Sequence, residues 1–420
     1  MNSQVMPIPR ALTTVQKTAR NLAFSTLSHL QVGTLTIREV FSDSDGSQRQ
    51  ETFGQHHGAN QHLDNGPNAI VEVKHPGFYA RLLKGGSIAA GEAYMDGWWD
   101  SPNLTQVMEL MAKNLSALDA LESRSSLLSK ILYKLGHWLN RNTVEKAQKN
   151  IEAHYDLSNE LYQTFLDKEM LYSSALFTDL SDSLEQAQIN KMERLCQELQ
   201  LNEQDRVIEI GTGWGAMAIY MATSYGCHVT TTTISEQQYQ YAASRIEALG
   251  LQDNITLLKQ DYRLLEGEFD KLVSIEMIEA VGKQYLRSYI EKCQSLLRPG
   301  GLMAIQAITI ADQRYDYYSD NVDFIQKYIF PGGFLPSITA LTQTTTKHSD
   351  LVLRNLFDIG QDYAQTLNHW HRRFNGSLAR VKHLGFDERF IRMWNYYFCY
   401  CEGGFKAKSI STVHMTFQRP

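Results

Sequence analysis

Three glycines at alternate positions, Gly211, Gly213 and Gly215 in "EIGTGWG", follow the apolar run "RVIEI" and precede a helical stretch. Glycines there let the backbone turn tightly and let a ligand approach main-chain atoms closely. A dinucleotide site needs G-x-G-x-x-G, so that a pyrophosphate can rest on a helix N-terminus. The shorter G-x-G-x-G spacing suits a cofactor with no phosphate at the turn, S-adenosylmethionine, whose aminoacyl end would pack over it. Where the second strand ends, an acidic residue would normally grip the ribose hydroxyls; here the sequence reads "TTTTISEQQ", offering Thr233 and Gln238, with Glu236 beyond the expected place. Hydroxyl and amide groups can make the same hydrogen bonds. The alternative is that Ser235 caps a helix and Gln238 is merely exposed.

The elements that must position these residues alternate from residue 205 onward. "RVIEIG", "HVTTTTI", "ITLLKQ", "DKLVSIEM" and "GLMAIQAITI" read as strands, with helices such as "SEQQYQYAASRIEALG" between them. That rhythm predicts an α/β fold with a parallel, doubly wound sheet. "LVLRNLFDIG" and "STVHMTFQRP" are expected to add the antiparallel edge pair of a seven-stranded, class I methyltransferase-like sheet. Between the fifth strand and that pair lies a long non-periodic insert, 311–347, expected to serve as an active-site lid. A smaller mixed α/β domain precedes, 1–123, with β-rich stretches "VGTLTIREVF" and "AIVEVKHPGFYARLL" separated by a polar linker and a helical pattern over 103–122. The catalytic domain is expected over 151–420.

Residues 124–150 connect the two. Leu128, Ile131, Leu132, Leu135, Trp138 and Leu139 fall at helical spacing against Arg124, Lys130, Lys134, Arg141, Lys146 and Lys149. A basic amphipathic helix with a tryptophan suits a membrane interface carrying anionic headgroups. A connector helix with a solvated charged face explains the pattern equally well.

With 420 residues, 43% apolar and 20% charged, the chain can bury more than one core. A net charge of −6 argues against a surface built for nucleic acid. Five scattered cysteines (Cys196, Cys227, Cys293, Cys399, Cys401) form no C-x-x-C pair, so neither a disulfide framework nor a metal site is expected. The N-terminal stretch lacks the apolar centre of a signal peptide, and no run of roughly 20 apolar residues is present to span a bilayer. The expectation is a cytoplasmic protein that meets the inner face of a membrane peripherally.

"NIEAHYDLSNELYQTFLDKEMLYSSALF", at 150–177, resembles a signature of the cyclopropane-fatty-acyl-phospholipid synthases and the related mycolic acid cyclopropane synthases. The likeness continues through "VIEIGTGWG", "TISEQQ", "QDYR", "IEMIEAVG", "YIFPGGFLPS" and "YYFCYCEGGFKAKSI", and "GEAYMDGWWD" is similar to that family's N-terminal domain. The resemblance implies alkylation, with S-adenosylmethionine, of a cis double bond in a phospholipid acyl chain. Carried over by position, Tyr172, Ser173, Gly211, Thr212, Gly213, Thr233, Gln238, Tyr262 and Arg263 would line the cofactor. The implied partners are unsaturated phospholipid chains and the membrane surface. The first domain would make membrane, lipid or dimer contacts, so a homodimer is kept among the expectations.

An alkene is a poor nucleophile, so the chemistry implied by the resemblance demands that the sulfonium methyl be held in line with it where water is excluded. Methyl transfer leaves a carbocation, which aromatic faces stabilise, and one proton must leave the new methyl for a ring to close. The resemblance also implies a bound bicarbonate as base. It would donate its O–H to Glu279 and accept from Tyr363 and from main-chain N–H groups near Ser174 and Ile308. Two positions depart from the family pattern: Ser174 stands where cysteine is usual and Gln306 where histidine is usual. A serine keeps the main-chain donor. Gln306 can orient an anion but cannot relay a proton. A site altered in this way leaves a methyl-branched or methylene chain open as a different product; the alternative of a different class is a non-catalytic lipid-binding or carrier protein with a vestigial pocket, which the β-rich N-terminal region supports.

Overall fold

The computed structural model describes residues 12–42, 48–54, 66–115, 157–179 and 181–420. The basic stretch 124–150 lies outside these residues. The chain divides into one unit of Met1–Leu135 with Phe386–Ser409, and another of Gly136–Gly385 with Ile410–Pro420.

The first unit holds a four-stranded sheet in the order β2-β1-β3-β4, formed by β1 (Thr34–Ser42), β2 (Gln48–Phe53), β3 (Asn68–Val73) and β4 (Trp99–Asp100). β2 falls in what the sequence reading takes as a polar linker. Its "QRQETF" presents no continuous apolar face, and an edge strand paired only to β1 needs none. The "GFYARLL" end of the second β-rich stretch instead starts the helix Phe78–Met95. A buried ion pair ties the unit together: Glu39 of β1 accepts from Arg20 Nη1 at 2.9 Å and from the Tyr79 hydroxyl at 2.8 Å.

The sequence reading assigns all of 151–420 to one domain, yet the helix Glu388–Lys406 packs in the first unit. Arg392 explains why. Its guanidinium lies 4.0 Å over the Tyr94 ring and donates to the Trp99 carbonyl at 2.9 Å and to Asp100 Oδ2 at 3.2 Å. Gly403 permits close approach, because a Cβ there would lie 2.5 Å from Met108 Cβ and 2.6 Å from the Glu109 nitrogen. Thr105 donates to the buried Glu402 at 2.9 Å.

In the second unit the expected strands form: β5 (Arg206–Ile210), β6 (His228–Thr233), β7 (Ile255–Lys259), β8 (Phe269–Ile275), β9 (Leu297–Ile310), β10 (Val352–Asp358) and β11 (Ile410–Gln418). Their order is β10-β11-β9-β8-β5-β6-β7, parallel except for β10 and β11. Both faces of the sheet are buried, which is why the central strands read as near-continuous apolar runs. Ile208, Leu272, Met303 and Ile305 pack with Tyr289 and Ile290 of the helix Leu286–Leu296 on one face. Val207, Val273, Leu302 and Ala304 pack with residues of the helices Leu184–Glu198 and Ala216–Tyr225 on the other.

The insert expected to be non-periodic contains the helices Tyr315–Asp320, Phe324–Tyr328 and Ile338–His348. These are short, and the last two start at their own N-caps, Asp323 and Ser337, so no single apolar period runs through the insert. Two main-chain hydrogen bonds fix the segment: Phe334 N–H to the Glu279 carbonyl at 2.9 Å and Ile310 N–H to the Pro336 carbonyl at 3.0 Å. Among the described residues no helix is long and apolar enough to cross a membrane.

Candidate active site

In open α/β sheets the ligand crevice lies at the carboxyl ends of the parallel strands, and the residues singled out from sequence gather there in the second unit. At the end of β5, Gly211, Gly213 and Gly215 all take positive φ, of 102°, 53° and 90°. A Cβ built on Gly213 would meet nothing within 4 Å, so this turn presents bare main chain to open space. Thr212 is buried, and its hydroxyl lies 2.7 Å from that of Thr231. Thr231 in turn donates to Glu209 of β5, whose carboxyl burial pushes up to about 8.

At the end of β6 the Thr233 hydroxyl donates to Gln238 Oε1 at 2.9 Å. Ser235 does cap the following helix, but Gln238 is buried rather than exposed. The two candidates therefore form one fixed pair. After β7, Tyr262 is buried and Arg263 is clamped by Asp261, with two contacts of 2.9 Å from Nε and Nη2. Tyr172 is half-buried among rings, its centroid 5.4 Å from Tyr162, 5.3 Å from Trp370 and 6.2 Å from Phe330. Ser173 is buried and accepts from Lys191 Nζ at 2.7 Å.

The sheet register brings the catalytic candidates side by side: Ile275 of β8 faces Gln306 of β9, and Gln306 faces His414 of β11. The next residue after β8, Glu276, has φ of 48°. This left-handed backbone is costly for a side chain with a Cβ. Three donors converge on its carboxylate. Ser174 N–H at 2.9 Å and Gln306 Nε2 at 2.8 Å donate to Oε1, and the Tyr363 hydroxyl at 2.8 Å donates to Oε2. Gln306 also donates to the Ser174 carbonyl at 3.1 Å, while its Oε1 accepts from His414 Nε2 at 2.9 Å. The two acceptors around Nε2, the Ser174 carbonyl and the Glu276 carboxylate, set which end of the amide faces Glu276. His414 is held neutral, its pKa lowered to about 3 by burial and then by the charges of Lys191 and Arg194.

Glu279 stands apart from these donors. Its Oε1 accepts from the Ile308 main-chain N–H, and its Oε2 has no hydrogen-bond partner among the described residues. Burial, and then the charge of Glu276, raise its pKa to about 8. Burial also raises that of Glu276, opposed by Ser174 N–H, Gln306, Lys191 and Tyr363. With three donors against one, the negative charge of the pair rests on Glu276 and the proton on Glu279. Lys191 is wholly buried, which lowers its pKa to about 8 against the pull of Glu276 and Asp167.

This corrects the expected arrangement. Tyr363, Ser174 and Gln306 do come together, but around Glu276 and not around a small oxyanion shared with Glu279. The donors that would hold bicarbonate are committed to a carboxylate of the chain itself, and Ile308 to Glu279. The residues as they stand do not fit a separate bicarbonate. The sequence held one signal for Glu276, a second glutamate three residues before Glu279 in "IEMIEAVG".

The family model described as mycolic acid cyclopropane synthetase matches residues 142–415. A tuberculostearic acid methyltransferase from Mycobacterium tuberculosis is 38% identical over 81% of this chain and 80% of its own. A cyclopropane-fatty-acyl-phospholipid synthase from Escherichia coli is 37% identical over 84% of this chain and 88% of its own. Among solved structures, a cyclopropane synthase from Mycobacterium tuberculosis superposes with a TM-score of 0.61 at 24% identity, covering 64% of this chain and 98% of the other. Sheet order, glycine turn and these likenesses together define a class I methyltransferase that uses S-adenosylmethionine. Within that class the chain belongs to the mycolic acid cyclopropane synthetase family, and it is an enzyme of the cyclopropane-fatty-acyl-phospholipid synthase type.

Proposed function

We propose that the protein transfers the methyl group of S-adenosylmethionine to a cis double bond in a phospholipid acyl chain and closes a cyclopropane ring by proton loss. The observation that carries this reading is a half-buried carboxylate, Glu276, fixed by three donors at the end of β8 and joined through Tyr363 to a cluster of aromatic rings. When bound, S-adenosylmethionine supplies an electrophilic methyl on a positively charged sulfur. The residues present suit it: the bare main chain at Gly213 admits the aminoacyl end, and Gln238, accepting from Thr233 through Oε1, keeps Nε2 as its donor for a ribose hydroxyl.

The chain's own groups do the rest. The rings of Tyr172 and Tyr363, backed by the fully buried Tyr162 and Trp370, exclude water, and Tyr172 and Tyr363 would offer π-faces to a developing cation. A carboxylate in a site of low dielectric stabilises the same positive charge strongly. Docking to an anionic membrane surface through the basic stretch 124–150 belongs to the proposal, since the substrate lies in a bilayer. Vesicle binding should then require anionic lipid and weaken with salt.

A second reading, methylation without ring closure, has its own support. The base here is a side chain rooted in the strand end, so the proton it takes is whichever the seated chain places nearest, on the new methyl or on a neighbouring carbon. The experiment is incubation with isotopically labelled S-adenosylmethionine and vesicles of monounsaturated phospholipid. Label in the acyl chain is expected, with ring protons in the NMR spectrum for cyclopropane and olefinic methylene protons for the second reading. Lipid that stays unlabelled overturns both.

A further inference from the structure

We infer that Glu276 is the catalytic base of this chain, its carboxylate taking the cradle of Ser174 N–H, Gln306 and Tyr363 that a small oxyanion would otherwise need. The inference rests on the proposed alkene methylation and deepens it. The geometry is specific. Oε1 receives two donors and Oε2 one, so Oε2 retains a lone pair for a proton. The backbone at Glu276 lies in the left-handed region, a conformation that a glycine would adopt without strain. A half-buried carboxylate held at a strained position, with two of its three donors oriented by further contacts, is what a functional constraint leaves behind. Gln306 is aimed by His414, and the Ser173–Ser174 segment is held by Lys191 Nζ, at 2.7 Å from Ser173 Oγ and 3.1 Å from the Ser174 carbonyl. His414 and Lys191 are positioning residues.

The step balances. The carbon–sulfur bond of the cofactor breaks, its electrons stay on sulfur, and a carbon–carbon bond forms from the alkene π pair, leaving a cation on the adjacent carbon. Glu276 Oε2 takes a proton from the new methyl, whose C–H pair closes the ring, or from the chain, whose C–H pair forms a new double bond. A sulfonium and a carboxylate become a thioether and a carboxylic acid, with no oxidant or reductant required.

The test compares the full-length protein with Glu276→Gln and Glu276→Gly, in buffer stripped of carbon dioxide and with bicarbonate restored. The wild type should turn over equally in both. Glu276→Gln should lose about 10²- to 10⁴-fold in rate in both, the usual contribution of a general base. Glu276→Gly opens the cradle, so it should be equally slow without bicarbonate and recover at least in part with it. Independently of turnover, ¹³C-labelled bicarbonate should bind the S-adenosylhomocysteine complex of Glu276→Gly and not that of the wild type, as read by NMR. Retained S-adenosylhomocysteine binding by calorimetry shows that each variant is folded. A wild type that slows without bicarbonate, a wild type that binds the labelled ion, or a Glu276→Gln variant of undiminished rate overturns the inference. Wild-type protein that labels no lipid overturns the proposed function instead, and the bicarbonate-binding comparison still decides the role of Glu276.

Discussion

Replacing Lys191 with methionine removes a buried charge while keeping most of the side chain's volume, and its consequences can be worked from the structure. Burial lowers the lysine's pKa from 10.5 to about 8. At 1.36 kcal/mol per unit, the folded chain carries its ammonium at a cost of ~3 kcal/mol wherever it is charged. Below pH 8 that cost is present in full. Between pH 8 and 10.5 the unfolded chain binds a proton that the folded chain does not, so this group makes stability rise with pH across that window. Lys191→Met lacks the rise. Urea unfolding of both proteins at intervals from pH 7 to 10.5 reads the effect, because titrating groups remote from Lys191 cancel in the difference. The stability of wild type relative to variant should climb by ~3 kcal/mol across the window. A second readout comes from turnover. Lys191 opposes the upward shift of Glu276, so its loss should let that carboxylate protonate at higher pH and move the acid limb of kcat/KM to the alkaline side. Parallel stability curves together with an unmoved acid limb would refute the assignment of a charged Lys191 behind the Ser173–Ser174 segment.

Tyr363→Phe removes the donor to Glu276 Oε2, a hydrogen bond to a charged group worth about 1.5–3 kcal/mol, so the acid limb should move up by about a unit or more; an unchanged pH profile counts against the contact. Gly213→Ala places a methyl in open space at a left-handed position. It should cost only about 1–2 kcal/mol in unfolding but weaken S-adenosylhomocysteine binding by about tenfold or more in calorimetry, and unaltered affinity would put the cofactor elsewhere. Gly403→Ala drives a Cβ into Met108 and the Glu109 nitrogen, so unfolding stability should fall by about 1–3 kcal/mol; a change near zero would mean the helices separate freely.

The second unit's sheet was legible because a strand buried on both faces leaves a run of apolar residues that few other structures produce, and because the glycine turn fixes where β5 gives way to a helix. The edge strand β2 was not, since a row of alternating polar residues also describes a loop. The helix Glu388–Lys406 reads as amphipathic from its own residues, but its partner is set by Arg392 and Gly403 meeting side chains almost 300 positions away. The candidate site divides along the same line. Tyr363, Ser174 and Gln306 could be gathered from motifs, and the structure does bring them together. Which of two glutamates they surround depends on one residue turning to positive φ at the end of β8, and no periodicity announces a single backbone torsion.

The antiparallel strand β11, which gives His414 to the cradle, is reached only after the chain has left its sheet to form the helix Glu388–Lys406 in the other unit. Synthesis in N-to-C order therefore cannot finish the second unit before that helix exists. A fragment cut to the long run 136–385 alone would leave β9 and β10 without the strand between them, two open edges flanking a gap. Such edges invite pairing with other chains. Any attempt to express the catalytic half by itself must therefore bring the last strand, β11, along with it.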